Sequence, residues 1–273
     1  MSPPHEPPSC SRPIGVFDSG VGGLSVLKAL RAELPSEAFV YLADSAYAPY
    51  GERDEAFIVE RARAITHYLL TYHHIQLLVM ACNTATAAAI QALRREFPSL
   101  PIVGVEPALK PAVALSQTQH IGVMATRATL ASTKFRALLA SMAGASTFVC
   151  QPCDGLADAI ERQDKSKIIA LCADYTRAIG PFGTQQGEVD TVVLGCTHYP
   201  FAKAVLANLL GPTVQLMDNG EPVARQTRRL MGNPANGPGA ACLTLLSTGS
   251  AGTLQNAADH WLAVQTPVDK VNI

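Results

Sequence analysis

The 273-residue chain lacks an excess of charge of either sign: 21 Lys and Arg face 22 Asp and Glu, a formal net charge of −1. A protein this close to neutral has no global field with which to gather nucleic acid or an anionic membrane surface. Aromatic residues are scarce, at 6% with a single tryptophan, and 48% apolar against 16% charged content excludes collagen-like, coiled-coil and disordered classes. Long hydrophobic runs are missing as well. The stretch Leu77 to Cys82 falls far short of the ~20 residues that span a bilayer. Met1 to Pro13 holds five prolines and no apolar run of the kind a signal peptide needs, so it reads as a disordered tail. The seven cysteines are odd in number and scattered, which is not how a disulfide scaffold is built. A reducing cytoplasm and free thiols are the expectation.

What is present is an alternation of short apolar runs with longer amphipathic or alanine-rich stretches, the signature of βα units on a largely parallel sheet. Strands are expected at 14–17, 39–42, 77–81, 102–105, 120–124, 191–194 and 243–247. Helices are expected at 22–34, 54–72, 84–97, 129–143, 156–161, 165–179 and 199–210. At roughly 150 residues per domain, the length suggests about two domains.

A weak internal repeat organises these elements. Ile14-Gly15-Val16-Phe17-Asp18-Ser19 resembles Ile121-Gly122-Val123-Met124-Ala125-Thr126, an offset of 121 − 14 = 107 residues. Leu78-Val79-Met80-Ala81-Cys82-Asn83-Thr84 resembles Val192-Val193-Leu194-Gly195-Cys196-Thr197-His198, an offset of 196 − 82 = 114. Two similarly wound halves follow, each with a cysteine at the C-terminal end of a strand. In open α/β sheets ligands bind beyond those ends, against helix N-termini. A helix N-terminus draws a thiol toward the thiolate that serves as base or nucleophile. For either cysteine alone, a small buried side chain ending a strand is the plainer reading. Two of them in repeated surroundings are hard to attribute to packing.

Paired thiols on facing half-sites admit a disulfide, a metal site with His198, or a stand on opposite faces of one substrate carbon. The disulfide fits poorly with a reducing compartment. Cys82, Cys196 and His198 give zinc three ligands in an unfamiliar spacing. The third reading uses the symmetry best: racemisation needs one group to take a proton from one face of a tetrahedral carbon and another to deliver one to the opposite face. Asp18-Ser19-Gly20-Val21-Gly22-Gly23 follows the first strand, and its glycines let backbone N–H groups approach an anion, although it is neither a dinucleotide fingerprint nor a Walker loop. Asp18 reads either as a helix cap or as a carboxylate handling an ammonium group or a nearby base. His198, two residues beyond Cys196, is a proton-transfer partner or a charge that favours thiolate. Pro49-Tyr50-Gly51 reads as a turn, Cys150-x-x-Cys153 as structural, Arg225, Arg228 and Arg229 as a solvated helix face, His73-His74 as a helix end, and 232–239 as a loop.

Asp18-Ser19-Gly20-Val21-Gly22-Gly23-Leu24, Ala48-Pro49-Tyr50-Gly51, Cys82-Asn83-Thr84-Ala85 and Gly195-Cys196-Thr197-His198-Tyr199-Pro200, in this order, resemble the bacterial glutamate racemases of the aspartate/glutamate racemase family. The resemblance runs from about Ile14 to Asp218. It implies an α/β fold of two similar doubly wound domains with mainly parallel sheets and the active site at their interface. The first domain would take 14–105 plus 219–273 and the second 106–218, after the tail 1–13. It further implies Cys82 and Cys196 as the acid/base pair, with Asp18, His198 and Glu161 supporting them. Asp18, Ser19, Tyr50, Gly51, Asn83, Thr84, Thr126, Thr197 and His198 would bind substrate. Glu161 lies eight residues after Cys153, among neighbours Ala159-Ile160 that depart from the family pattern, and Tyr47 is assigned no role.

The activity implied is interconversion of L- and D-glutamate without pyridoxal phosphate, metal or nucleotide, supplying D-glutamate for peptidoglycan. The expected partner is that small molecule alone, with no nucleic acid and no membrane, and a homodimer is the expected assembly. Competing readings are a racemase of aspartate or another amino acid, a Cys/His metal-dependent hydrolase, and a non-catalytic two-lobed amino-acid binding module.

Overall fold

A computed structural model of the protein describes residues 12–142, 144, 146–232 and 242–273. Of the expected Pro-rich tail, residues 1–11 with Cys10 lie outside the described residues, as does most of the 232–239 loop. Arg12 and Pro13 do not behave as a free tail, since Pro13 O accepts Gln76 N at 3.0 Å and Arg12 Nε donates to His74 O at 3.2 Å.

The first half runs β1 Ile14–Asp18, α1 Leu24–Glu33, β2 Phe39–Ala43, α2 Glu55–His73, β3 Leu77–Met80, α3 Asn83–Glu96 and β4 Ile102–Gly104. The second runs α4 Leu109–Leu115, β5 His120–Ala125, α5 Arg127–Ala131, α6 Thr133–Ala140, β6 Thr147–Pro152, α7 Leu156–Glu161, α8 Lys165–Ile179, β7 Thr191–Gly195, α9 Lys203–Leu210 and β8 Gln215–Met217. The chain then closes with α10 Gly220–Met231, β9 Leu243–Ser247, α11 Ala251–Leu262 and β10 Val268–Lys270.

Two sheets result, in the orders β10-β9-β2-β1-β3-β4 and β6-β5-β7-β8, with every strand pair parallel. Numbered within each half, the strand order 2-1-3-4 is the same in both. β1 therefore corresponds to β5, and β3 to β7, as the two sequence repeats require. β9 and β10 extend the first sheet beyond β2.

Both sheets are covered on both faces, which is why their central strands are apolar throughout rather than alternating. Along β1 and β2, Ile14, Val16, Phe39, Tyr41 and Ala43 pack into one cluster with α1 and α11, while Phe17, Val40 and Leu42 pack into another with α2 and α3. In the second sheet, Met124, Val192 and Leu194 face α7, α8 and α9, and Ile121, Val123 and Val193 face α4 and α6. Each fully buried aliphatic side chain adds about 1.5–3 kcal/mol.

Three strands and two helices exceed the sequence expectation, β6, β8 and β10 with α4 and α11, while α10 gives bounds to the helix face expected at Arg225, Arg228 and Arg229. The helix expected over 129–143 is in fact two. Ser132 takes an extended conformation between α5 and α6, and its hydroxyl caps the second by accepting Phe135 N at 3.1 Å. The expected 199–210 helix opens as a 3-10 turn, Tyr199–Ala202, before α9. Among the described residues no helix is long and apolar enough to cross a membrane.

Candidate active site

In a 2-1-3-4 sheet the winding reverses between strands 1 and 3, and a crevice opens there at the carboxyl ends. Asp18 and Ser19 leave β1 and Cys82 leaves β3 at the first such point; Thr126 leaves β5 and Cys196 leaves β7 at the second. Contacts across the seam bring the two crevices face to face. Thr197 Oγ1 donates to Asp18 Oδ1 at 3.3 Å, Ser25 Oγ donates to Thr197 O at 2.8 Å, and the Thr84 and Thr126 hydroxyls meet at 3.3 Å.

The glycine loop after β1 owes its composition to this seam. A Cβ on Gly20 would stand 1.9 Å from Glu161 Oε1, and one on Gly22 would stand 2.4 Å from His198 Nδ1. The anion that these bare backbone positions admit is thus the protein's own Glu161 carboxylate, which accepts Val21 N at 3.2 Å. Asp18 does not cap α1. It is fully buried, accepts Gly20 N at 3.1 Å, and its carboxyl pKa is raised by burial against the opposing charge of His198.

Cys82, 5% exposed, caps α3 by accepting Ala85 N at 3.4 Å, and its Sγ lies 3.6 Å from Ser19 Oγ. The helix N-terminus was expected to draw its pKa down. Instead, burial and the neighbouring Asp18 carboxylate push the thiol up to about 12, beyond what one amide and the Ser19 hydroxyl offset. Cys82 is therefore protonated at neutral pH.

Cys196, 6% exposed, has different surroundings. No long helix begins beside it; Tyr199 N closes a turn onto Cys196 O at 3.1 Å. Its partner is an imidazole. His198 Nδ1 lies 3.7 Å from Cys196 Sγ, and Nε2 lies 2.9 Å from Glu161 Oε1. Burial alone would lower the His198 pKa, but the hydrogen bonds to Cys196 and Glu161 outweigh it and carry the pKa well above the usual 6.5. Burial likewise opposes ionisation of Glu161, yet the hydrogen bond from His198 holds its pKa below the ordinary carboxylate value. The pair is an imidazolium and a carboxylate.

On the remaining side, Tyr50–Glu52 forms a 3-10 turn, and a Cβ on Gly51 would touch Thr126 Cβ at 3.7 Å. The Tyr50 hydroxyl is committed to Asp44, so what this turn presents is backbone. Asn83, 4% exposed, has no hydrogen-bond partner for either Oδ1 or Nδ2 among the described residues, a rare state for a buried amide. Also among the described residues, no three His, Cys, Asp or Glu side chains are grouped to hold a metal ion.

A family model described as Asp/Glu/Hydantoin racemase matches residues 14–227. The chain belongs to the Asp/Glu/hydantoin racemase family. It is 49% identical over 228 residues to a protein of Ectopseudomonas mendocina named glutamate racemase, covering 81% of this chain and 82% of that one. It also superposes on a glutamate racemase isoform from Bacillus anthracis with a TM-score of 0.84 at 28% identity, covering 96% and 97% of the two chains. A third match is the Escherichia coli glutamate racemase in complex with L-glutamate and the activator UDP-MurNAc-Ala, with a TM-score of 0.82, 31% identity, and 96% and 98% covered.

Against this racemase architecture, the structure gathers Asp18, Ser19, Cys82, Asn83, Thr84, Thr126, Glu161, Cys196, Thr197 and His198 at one seam, with the Tyr50–Gly51 turn beside them. Three contributors escaped the sequence reading. Tyr41 donates from β2 to Gly20 O at 2.8 Å and props the glycine loop, Ser25 ties α1 to Thr197, and Asp44 holds Tyr50. Tyr41 sits in an unbroken apolar run that reads as core. Asp44, directly after such a run, carried a readable signal, because it follows β2, whose last residue Ala43 pairs with Asp18 at the end of β1.

Proposed function

We infer that this chain is a glutamate racemase, interconverting L- and D-glutamate with Cys82 and Cys196 as its two acid/base groups. The observation that carries the reading is the pair of equivalent strand-end cysteines at facing switch points, in a chain whose relatives bear that name. A thiolate on one side takes the α-proton, and the thiol on the other delivers its own proton to the opposite face. The proton count is unchanged, the configuration is inverted, and the two sulfurs exchange roles, so they titrate as a coupled system.

The surroundings divide the labour. Cys82, held as a thiol, is the proton donor in the direction in which Cys196, with His198 beside it, is the base. In the reverse direction Cys196, by then the thiol, delivers its own proton to the substrate and is left as a thiolate beside the His198 imidazolium, which Glu161 fixes through Nε2. Asp18 sits against the Cys82 side and, as a buried carboxylate, suits the substrate ammonium. Asn83, Thr84, Thr126, Thr197, Ser19 and the Tyr50–Gly51 backbone supply donors for carboxylates. A buried amide left unpaired costs about 1–3 kcal/mol, and a bound glutamate removes that penalty at Asn83. The donors also stabilise the carbanion-like transition state. The chemistry balances with these groups alone and needs no cofactor.

In this reading residues 14–105 with 219–273 and residues 106–218 are the two domains that place one thiol on each side of the substrate. Supply of D-glutamate for peptidoglycan, a cytoplasmic location and a homodimeric assembly complete the proposal. Metal-free protein incubated with L-glutamate should drive the optical signal to zero. An unchanged signal would overturn it, and faster loss with L-aspartate would replace the substrate.

A further inference from the structure

Beneath the Tyr50–Gly51 turn lies a polar cluster that neither the cysteines nor the imidazole uses. Asp44 is completely buried, and four side-chain donors converge on its carboxylate: Arg61 Nε at 3.0 Å and Nη2 at 2.7 Å, Tyr50 Oη at 2.6 Å, and Thr248 Oγ1 at 2.9 Å. Its backbone N donates to Asp18 O at 2.9 Å. Arg61 is fixed in turn, donating through Nη1 to Ile273 O at 2.7 Å and lying 3.8 Å from the centroid of the Tyr47 ring. Buried ion pairs add little net stability compared with apolar residues of the same volume, so such a cluster is poorly explained by stability. Its position is informative. Tyr50 and Cys82 pack in one apolar cluster, and Gly51 lies against Thr126 from the other half.

We propose that Asp44, clamped by Arg61, is a positioning residue for the reaction: it holds the Tyr50 phenol so that the Tyr50–Gly51 backbone stays in register with Cys82 and Thr126 for substrate binding. This rests on the racemase reading of the site. The cluster makes no contact with a reacting atom, so it acts on substrate binding and leaves proton transfer to the thiols. Uniform binding lost in this way raises KM with kcat unchanged.

The test uses Tyr50→Phe, which keeps the ring and removes one hydrogen bond, and Asp44→Asn, which keeps the shape and removes the charge. Two readouts apply to the intact protein: steady-state racemisation of glutamate, and amide hydrogen exchange of the peptide spanning Tyr50 to Arg53. A hydrogen bond to a charged group corresponds to about a ten- to hundredfold effect, so Tyr50→Phe should raise KM by that factor with kcat little changed. Exchange in the turn should quicken by about tenfold or more on the same basis. Should Asp44→Asn fail to fold, Tyr50→Phe decides the matter alone. Unchanged KM and unchanged exchange in an active enzyme overturn the positioning role, as does a lowered melting temperature with KM unmoved. A wild-type protein that does not racemise glutamate overturns the function and, with it, the assignment of this turn to substrate.

Discussion

Replacing Glu161 with glutamine isolates the charge that holds His198 in place. The substitution keeps the shape of a side chain whose Oε1 meets both His198 Nε2 at 2.9 Å and Val21 N at 3.2 Å, and it removes the anion. His198 has only 7% of its side chain exposed and Glu161 26%. Breaking a fully buried pair costs about 3–5 kcal/mol, and the partial exposure of Glu161 discounts this to about 2 kcal/mol. In a protein of this size that is a fall of about 4–8 °C in melting temperature.

The pH dependence of that loss is the sharper test. His198 is raised in the folded state, so its contribution is complete below the usual 6.5 and disappears as pH rises through the folded value. Glu161 is depressed, so its contribution is complete above the usual 4.5 and disappears as pH falls through its folded value. The stability difference between wild type and Glu161→Gln should therefore be largest between these two reference values and shrink on either side. Urea titrations of both proteins from acid to alkaline pH measure it directly. Because the two enantiomers have equal energy, kcat/KM must fall by the same factor in both directions. A stability difference that is absent, or flat across the whole pH range, would refute the ion pair.

Cys82→Ser and Cys196→Ser should each lower racemisation by about 10²–10⁴-fold, the scale of a lost general acid or base; full activity in either removes that cysteine from the assignment. Gly22→Ala places a methyl where the His198 ring now sits and should reduce kcat by about 100-fold, the scale of a 1 Å displacement; wild-type kcat would show that the close approach is idle. With its thiol pushed up to about 12, Cys82 should react with iodoacetamide at neutral pH about a thousandfold or more slowly than free cysteine. Peptide mapping reads this, and rapid labelling of Cys82 in folded protein would contradict it.

The legible parts of the fold are those where burial imposes a pattern. β1, β2, β3, β5, β7 and β9 are interior strands, apolar enough to stand out, and the β1/β5 and β3/β7 likenesses reveal the repeat because they occupy the same interior positions. The unread strands β6, β8 and β10 are all at sheet edges. There one side needs no partner, and Thr147-Phe148-Val149-Cys150-Gln151-Pro152 or Val268-Asp269-Lys270 can be short, polar or end in proline. Of α10 only the solvated face carrying Arg225, Arg228 and Arg229 was read, and its bounds were not, because only Val223, Ala224 and Thr227 with Gly220 are buried. At the site, the cysteines, His198 and Asp18 were readable from their place at strand ends. Glu161, the partner of His198, was named only through the family resemblance, since nothing local in Ala159-Ile160-Glu161 shows that the chain will carry this carboxylate to a loop 140 residues away. Nor does spacing report protonation. The Cys82 pKa runs against its helix N-terminus because burial and Asp18 outweigh one amide.

The central claim is that two thiols stand on opposite faces of one α-carbon. Following L-glutamate in D2O at early times, with deuterium measured separately in each enantiomer, tests it most directly. Two bases predict D-glutamate that carries solvent deuterium from its first appearance, while the remaining L-glutamate stays protonated. Remaining L-glutamate that gains deuterium as fast as D-glutamate forms would mean a single base serving both faces, and would contradict the account.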